Sequence, residues 1–268
     1  MDVLAQLAAW SLIAFGLLLF ATQVAAREMG YWLGQRHSVL RGTGDAEGVG
    51  LITTGMVGLL GFVLALMLSF GGTRFDERRQ GTLNEANAIG TAWLRAQALD
   101  HPSSAQIATL LKDYVAVRRD YIQADRDPSQ LNEINQRSAK LQQDIWLELT
   151  KVVRERPDPA SVALMSALNE VFDMATSERF AHDNRIPQNL FWLLMVLAHL
   201  SMGAIGYQLG LKGQRAHVMA SLLTAVWTAV IVVILDLSAP RLGAIRTSVD
   251  VYDWVLEDMN GPAPEGRK

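Results

Sequence analysis

The sequence predicts an all-α membrane protein with four transmembrane helices and a helical bundle inserted between the second and the third. Half of the 268 residues are hydrophobic and only 19% are charged, which is a low charged fraction for a soluble protein. The apolar residues are also grouped into four long runs that contain no Asp, Glu, Lys or Arg. Each run is close to the roughly 20 residues that a helix needs to cross hydrocarbon.

The four uncharged runs define the predicted spans. They give transmembrane helices at about 3–26, 49–71, 189–211 and 217–236. The first run could also be a cleaved signal peptide, because Val24-Ala25-Ala26 is similar to a cleavage site. Signal peptides start with Lys or Arg, whereas this run follows Asp2, so a retained span is the preferred interpretation.

These spans divide the chain into four predicted parts. Residues 1–71 hold the first two transmembrane helices and their connecting loop, and residues 72–188 form an extramembrane α-helical domain. Residues 189–238 hold the third and fourth transmembrane helices. Residues 239–268 form a C-terminal tail with a short amphipathic segment.

The segment 72–188 has the periodicity of a helical bundle. Apolar residues recur at steps of three and four, and one such stripe consists of Val162, Met165, Leu168, Phe172 and Ala175. Pro102, Pro128 and Pro159 lie beside Ser or Asp residues, a pattern typical of helix starts. About four helices are expected, the first of them continuous with the second span.

The basic residues of the short loops predict the orientation in the membrane. They are Arg27, Arg36 and Arg41 after the first span and Lys212 and Arg215 between the third and fourth spans. The sequence therefore predicts a multi-pass protein of the bacterial inner membrane, with the N-terminus and the helical domain in the periplasm. Arginines that follow the second and fourth spans favour the opposite orientation, which stays open.

Several function classes lack their sequence signals. The chain has no cysteine, which excludes disulfides, thiol catalysis and Cys-based metal sites. It contains neither a Walker loop nor a His-Glu-x-x-His pair, so we expect no enzyme, no cofactor and no metal site. The net charge is −3 and no basic run occurs, so nucleic acid is not an expected partner.

The second span carries small residues on one helical face. They are Thr54, Gly58, Gly61, Ala65 and Ser69. Small side chains let helices approach closely in lipid, so this face is predicted to pack against another helix. The alternative is a narrow pore-lining face in an oligomer, and the two interpretations overlap.

A polar face follows the second span directly. Glu77, Asn84, Asn87 and Thr91 are spaced by seven, three and four, and Arg78 and Glu85 lie beside them. Three interpretations are open: a solvated face of the bundle, a buried network that fixes helix register, and a ring of copies around a symmetry axis that selects among ions. In the third case these six residues are pore-lining or selectivity candidates, and Glu85 pairs with Arg78.

Two polar residues lie within the later spans. His199 is near the middle of the third, and intramembrane ionisable residues often have functional roles. A neutral histidine bonded to a neighbouring helix is the more frequent outcome. Asp236 ends the fourth span, where we expect a structural role and a pair with Arg241.

The segment 75–95, FDERRQGTLNEANAIGTAWLR, resembles the prokaryotic bestrophin-like family of unknown function. The segment 44–48 with the Gly-rich span after it, and the segment 236–248, support the same resemblance. The family name implies distant kinship with bestrophins, which are pentameric anion channels. The resemblance therefore implies an oligomeric ion channel that conducts anions, with the second span and its extension near the symmetry axis.

The implied partners are the lipid bilayer, further copies of the chain (five by analogy) and small inorganic ions. The alternative function is a non-conducting membrane sensor or scaffold whose helical domain binds a partner or ligand. The direction of the Glu77–Thr91 face separates the two, because a channel requires this face to point to a central axis.

Overall fold

A computed structural model describes residues 12–41, 46–125, 127–183, 187–241 and 243–261, and in these ranges every regular element is an α-helix. The helices are α1 (Leu12–Arg41), α2 (Ala46–Gln97), α3 (Pro102–Gln123), α4 (Pro128–Glu155), α5 (Pro159–Asp183), α6 (Gln188–Leu211), α7 (His217–Ser238) and α8 (Asp250–Asn260). Within the described residues, four of them, α1, α2, α6 and α7, are long and apolar enough to cross a membrane. The predicted fold class is confirmed.

The first helix extends past its predicted end at residue 26. It continues to Arg41, while residues 3–11 of the predicted span lie outside the described residues. Arg27 does not end the helix, because its guanidinium is buried and satisfied by protein groups. It donates to Glu28 at 2.8 Å and to the Ser221 hydroxyl at 3.0 Å.

The second helix is uninterrupted from the apolar span into the polar segment. It has 52 residues, which corresponds to a length of roughly 78 Å. The hydrocarbon core of a bilayer is only about 30 Å thick, so much of α2 lies outside the membrane. This confirms the prediction that the first helix of the bundle continues the second span.

The chain divides into two compact units. The membrane unit comprises Met1–Arg74 and Arg185–Ile245, and the helical unit comprises Phe75–Asn184 and Arg246–Lys268. In the membrane unit α1, α2, α6 and α7 contribute to one apolar core, with Phe15, Leu60, Leu194 and Ile231 among its buried residues.

Close packing of α1 against α6 depends on glycines in both helices. Gly30 and Gly34 on α1, and Gly206 and Gly210 on α6, each have backbone atoms of the facing helix where a side chain would start. A methyl group at Gly206 would overlap the Arg27 carbonyl and lie 3.0 Å from the Tyr31 nitrogen. Each helix thus carries a Gly-x-x-x-Gly pair, which permits close approach in lipid.

The helical unit is built as the proline positions predict. Helices α3, α4 and α5 begin at Pro102, Pro128 and Pro159, where the missing N–H costs nothing. The N-terminus of α4 is capped by the carboxylate of Asp127. The side chain of His101, rather than a Ser or Asp, caps α3.

Two features of the helical unit differ from the sequence prediction. Most of the apolar stripe predicted on α5 faces the core, because Leu168 and Ala175 are buried and Met165 and Phe172 pack against it. Val162 is instead 52% exposed, while Leu164 and Val171, outside the predicted stripe, are buried. The predicted C-terminal tail is also not separate. Its helix α8 packs into the core of the helical unit with Tyr252 and Met259 buried.

Candidate functional site

Four of the predicted pore residues lie on an exposed face of α2. Glu77, Asn84, Asn87 and Thr91 are all exposed in the single chain. The Asn84 side-chain oxygen accepts a hydrogen bond from Gln80 at 2.8 Å, which aligns a second amide along this face. The face thus presents carboxylate, amide and hydroxyl side chains at the surface of the single chain.

The other two pore candidates do not lie on this face. Arg78 is 1% exposed and Glu85 is 0% exposed, so the structure corrects their assignment to an ion path. Residues seven apart share a face of a helix, and here that face also carries the buried residues Thr82 and Ile89. It packs into the helical unit.

Glu85 forms the centre of a buried ionic cluster. Its Oε2 accepts hydrogen bonds from Arg118 Nη2 at 3.0 Å and from the Tyr252 hydroxyl at 2.9 Å, and its Oε1 accepts from Arg118 Nε. The partner of Glu85 is thus Arg118 on α3, in a bidentate pair, and not Arg78 as predicted. Paired hydrogen bonds of this kind are the strongest that side chains form.

Burial and the neighbouring Glu85 carboxylate together set the protonation of Tyr252 and Arg118. Burial raises the pKa of Tyr252, and the Glu85 carboxylate raises it further. Burial alone would lower the pKa of Arg118, but attraction to Glu85 and their hydrogen bond outweigh burial, so the pKa of Arg118 is raised. Arg118 therefore stays charged and Tyr252 stays a hydrogen-bond donor at physiological pH.

A second carboxyl, Glu178 on α5, is buried in the same unit with no exposed side-chain surface. Its Oε1 accepts a hydrogen bond from the Thr82 hydroxyl at 2.8 Å. Burial raises its pKa to about 7, and the nearby Glu85 charge acts in the same direction.

Sequence reasoning missed Arg118, Tyr252 and Glu178, because helical spacing does not identify ionisable residues that face a core.

The small-residue face of α2 is unfilled in the single chain. Thr54, Gly58, Gly61, Ala65 and Ser69 are exposed. An added side-chain carbon at Gly58 or Gly61 would meet no atom within 4 Å. The face is open to lipid or to another copy.

His199 makes contacts consistent with a structural role. Its Nδ1 lies 2.8 Å from the Met195 carbonyl oxygen on its own helix, and its Nε2 lies 3.1 Å from the Thr22 hydroxyl on α1. The histidine also lines an apolar cavity of about 390 Å³ with Phe15 and Trp192. Thr22 is a neighbouring-helix partner of the kind that a structural role requires, and the role itself stays a prediction.

Asp236 fixes the turn after α7. It is 8% exposed, and its carboxylate accepts hydrogen bonds from the backbone nitrogens of Ala244 at 3.3 Å and Ile245 at 3.4 Å. These bonds satisfy two backbone N–H groups of the segment that follows α7, which fits the structural role predicted for Asp236. Its predicted pair with Arg241 stays a prediction.

A family comparison accounts for this combination of four spans and one helical insert. The model of the bestrophin-like domain matches residues 15–252. The chain belongs to the bestrophin-like family. The match begins within α1, covers α2, α6 and α7 completely, and extends to Tyr252, so this bestrophin-like protein is a multi-pass membrane protein. No curated protein matches the sequence.

Solved structures share the fold over nearly the whole chain. Two are mutants of a bestrophin homologue from Klebsiella pneumoniae. One with a tryptophan-to-alanine mutation has a TM-score of 0.67 at 13% identity, covering 94% of this chain and 99% of its own. One with a tyrosine-to-alanine mutation has a TM-score of 0.66 at 14% identity, covering 91% and 98%. At this identity the likeness establishes the fold alone.

Proposed function

We propose that this bestrophin-like protein is a subunit of an oligomeric ion channel that conducts anions along the exposed face of α2. The observation that carries the proposal is the division of α2 into three faces. One is packed inside the chain, one is lined by small residues, and one carries Glu77, Asn84, Asn87 and Thr91. In a ring of copies, the small-residue face can contact a neighbour while the polar face meets the axis.

The apolar part of α2 supports a continuous path. Phe62, Leu66 and Phe70 follow one another at steps of four and are 62%, 43% and 54% exposed. Thr73 and Glu77 continue from Leu66 at helical spacing and are also exposed. Rings of apolar side chains in a pore gate ions by dewetting, and amide and hydroxyl groups beyond them can donate hydrogen bonds to an anion.

The kinship with bestrophins supports anion selectivity and an assembly of five copies by analogy. The likeness is one of fold, and a fold does not by itself establish an activity. The predicted ions, the copy number and the inner-membrane location are part of the proposal. Membership of the bestrophin-like family favours a channel over an enzyme.

Current through planar bilayers under a salt gradient tests the proposal. Wild-type protein should conduct, and Glu77→Gln should shift the reversal potential toward greater anion selectivity, because it removes one carboxylate per subunit from the path. Glu170→Gln is the matched control, since Glu170 is an exposed carboxyl on α5. Absence of current in wild type would refute the channel. Equal shifts in both variants would indicate a general surface-charge effect.

Assembly through α2 gives a separate prediction. Gly58→Leu should convert the oligomer to smaller species on gel filtration in detergent, because a leucine fills the space required for a neighbouring helix. Val226→Leu is a suitable control, because it adds bulk at an exposed position of another membrane helix, α7, rather than on this face of α2. An unchanged elution volume for Gly58→Leu would exclude this face as the subunit contact.

The proposed orientation has the helical unit in the periplasm. A cysteine at Ser129, which is exposed at the start of α4, should react with an impermeant thiol reagent in intact cells. The chain has no other cysteine, so the background is low. Labelling that occurs only after cell lysis would show that the helical unit lies in the cytoplasm.

One cavity favours the alternative function, a non-conducting sensor or scaffold. It lies between the end of α2 and α3, has a volume of about 430 Å³, and is lined by residues that include Trp93, Ala108 and Lys112. The Lys112 ammonium lies 5.9 Å from the centre of the Trp93 ring. This site could bind a small aromatic or anionic ligand, and the absence of current in wild type would favour it.

A further inference from the structure

The hydrogen bonds of Thr82 depend on the protonation of Glu178. The Thr82 oxygen lies 2.8 Å from Glu178 Oε1 and 3.0 Å from the Arg78 carbonyl oxygen. A hydroxyl has one proton to donate, so it cannot serve both acceptors fully. An ionised Glu178 draws the Thr82 proton toward α5. A protonated Glu178 can donate to Thr82 instead, and the Thr82 proton then returns to the Arg78 carbonyl within α2.

The second oxygen of Glu178 has no compensating donor among the described residues. Its Oε2 is buried without a hydrogen bond and lies against Gly81 on α2, where a side-chain carbon would overlap it. An ionised oxygen in such a place is costly because burial removes its hydration. The carboxyl therefore gains by binding a proton.

The ionisable groups around Glu178 come from four helices, α2, α3, α5 and α8. Arg78 and Glu85 on α2 and Arg118 on α3 act on its charge, and the Tyr252 hydroxyl on α8 senses it. On α5 itself, His182 Nδ1 lies 3.2 Å from Glu178 Oε1 and 3.0 Å from the Glu178 carbonyl oxygen. Two carboxyls and two guanidiniums share this interior, and a proton on Glu178 changes their balance from neutral to positive.

We propose that Glu178 is a proton-binding site that switches the contact between α5 and the 78–85 segment of α2, and thereby regulates the exposed face at Glu77 and Asn84. The regulatory part rests on the channel function proposed above. The ligand is the proton, and the switching element is the Thr82 hydrogen bond. With burial and the Glu85 charge both favouring the protonated form, the transition lies in the physiological range.

The sign of the effect on stability follows from linkage. A carboxyl whose pKa is higher in the folded state binds protons more tightly when folded, so stability is lost as pH rises. The loss begins near the ordinary glutamate pKa of about 4.3 and is complete above the folded-state pKa of about 7. Glu178→Gln mimics the protonated form and should remove this dependence.

Thermal unfolding of the full chain in lipid nanodiscs at about pH 5 to 8 tests the proton site. The difference in Tm between wild type and Glu178→Gln should change by roughly 5 °C across this range, whereas Glu170→Gln should follow wild type. Thr82→Val removes a hydrogen bond that lowers the pKa of Glu178, so its transition should move to higher pH. This second variant keeps the test available if Glu178→Gln does not fold.

Three results would overturn the proposal. In the first, Glu178→Gln retains the wild-type pH profile, and in the second, Thr82→Val leaves the transition at the wild-type pH. In the third, His182→Gln abolishes the transition while Glu178→Gln keeps it, which would assign the proton to His182.

Bilayer currents at the same pH values test regulation separately. Regulation is supported if the wild-type current changes with pH and the Glu178→Gln current does not. It is refuted if the currents of the two proteins have the same pH dependence. A Glu178-dependent unfolding transition without current at any pH supports the proton site and refutes the channel.

Discussion

Arg118→Met is expected to destabilise the helical unit by roughly 3–5 kcal/mol, because it leaves the Glu85 carboxylate buried without its guanidinium. Glu85 has no exposed surface and Arg118 only 3%, so solvent cannot take over the lost contact. In thermal unfolding followed by tryptophan fluorescence, the loss should appear as a decrease in Tm of roughly 10 °C.

Arg119→Met provides a matched control at the next residue. Arg119 pairs with Asp253 at 2.9 Å, but both side chains are more than one-third exposed. Exposed pairs contribute at most about 1 kcal/mol, so this variant should unfold close to wild type. Equal effects of the two substitutions would contradict the assignment of the buried pair. Adding Glu85→Leu to Arg118→Met should recover part of the stability, because it removes the isolated charge.

Gly206→Leu is expected to disrupt the membrane unit as strongly. Its side chain would overlap the Arg27 carbonyl and the Tyr31 nitrogen, which are backbone atoms that cannot rotate away. Overpacking usually costs about 1–3 kcal/mol and more when the backbone must move. We expect loss of the monodisperse peak in size-exclusion chromatography and a lower yield of folded protein.

The matched control for this effect is Gly203→Ala on the same helix. A methyl group there would lie 3.7 Å from the Ala26 carbonyl oxygen, an ordinary van der Waals distance, so the variant should behave as wild type. Gly206→Ala should lie between the two. Alanine favours a helix more than glycine does, so damage by Gly203→Ala equal to that of Gly206→Leu would contradict close approach at Gly206 as the cause.

The fold was predictable wherever the chain itself carries the physical signal. Uncharged runs identify membrane helices because hydrocarbon excludes charge, and prolines identify helix starts because they lack an N–H. The end of α1 was not predictable, because Arg27 is satisfied by Ser221, which is 194 residues away. The Gly-x-x-x-Gly pairs that begin at Gly30 and Gly206 are a sequence signal for close helix packing that the sequence prediction did not use. Close packing was predicted only for the small-residue face of α2.

The candidate site was only partly predictable, for a geometric reason. Helical spacing correctly groups Glu77 with Asn84, but it does not determine which face of a helix is inside. Glu85 was therefore assigned to the pore, although Arg118 and Tyr252 hold it in the core. The stripe predicted on α5 is incomplete for a related reason, because the buried face of this helix also includes the ionisable residues Glu178 and His182, which a search for apolar stripes omits.

The role of α8 has a consequence for how the protein is made. Tyr252 closes the cluster around Glu85 and Arg118, yet the ribosome reaches it only after α6 and α7 have been synthesised. At about 5–20 residues per second, residues 85–118 wait roughly 7–27 s for this partner while two further helices enter the membrane. A nascent or prematurely terminated chain that lacks Tyr252 thus exposes a charged interior, which quality-control proteases could use to recognise incomplete molecules.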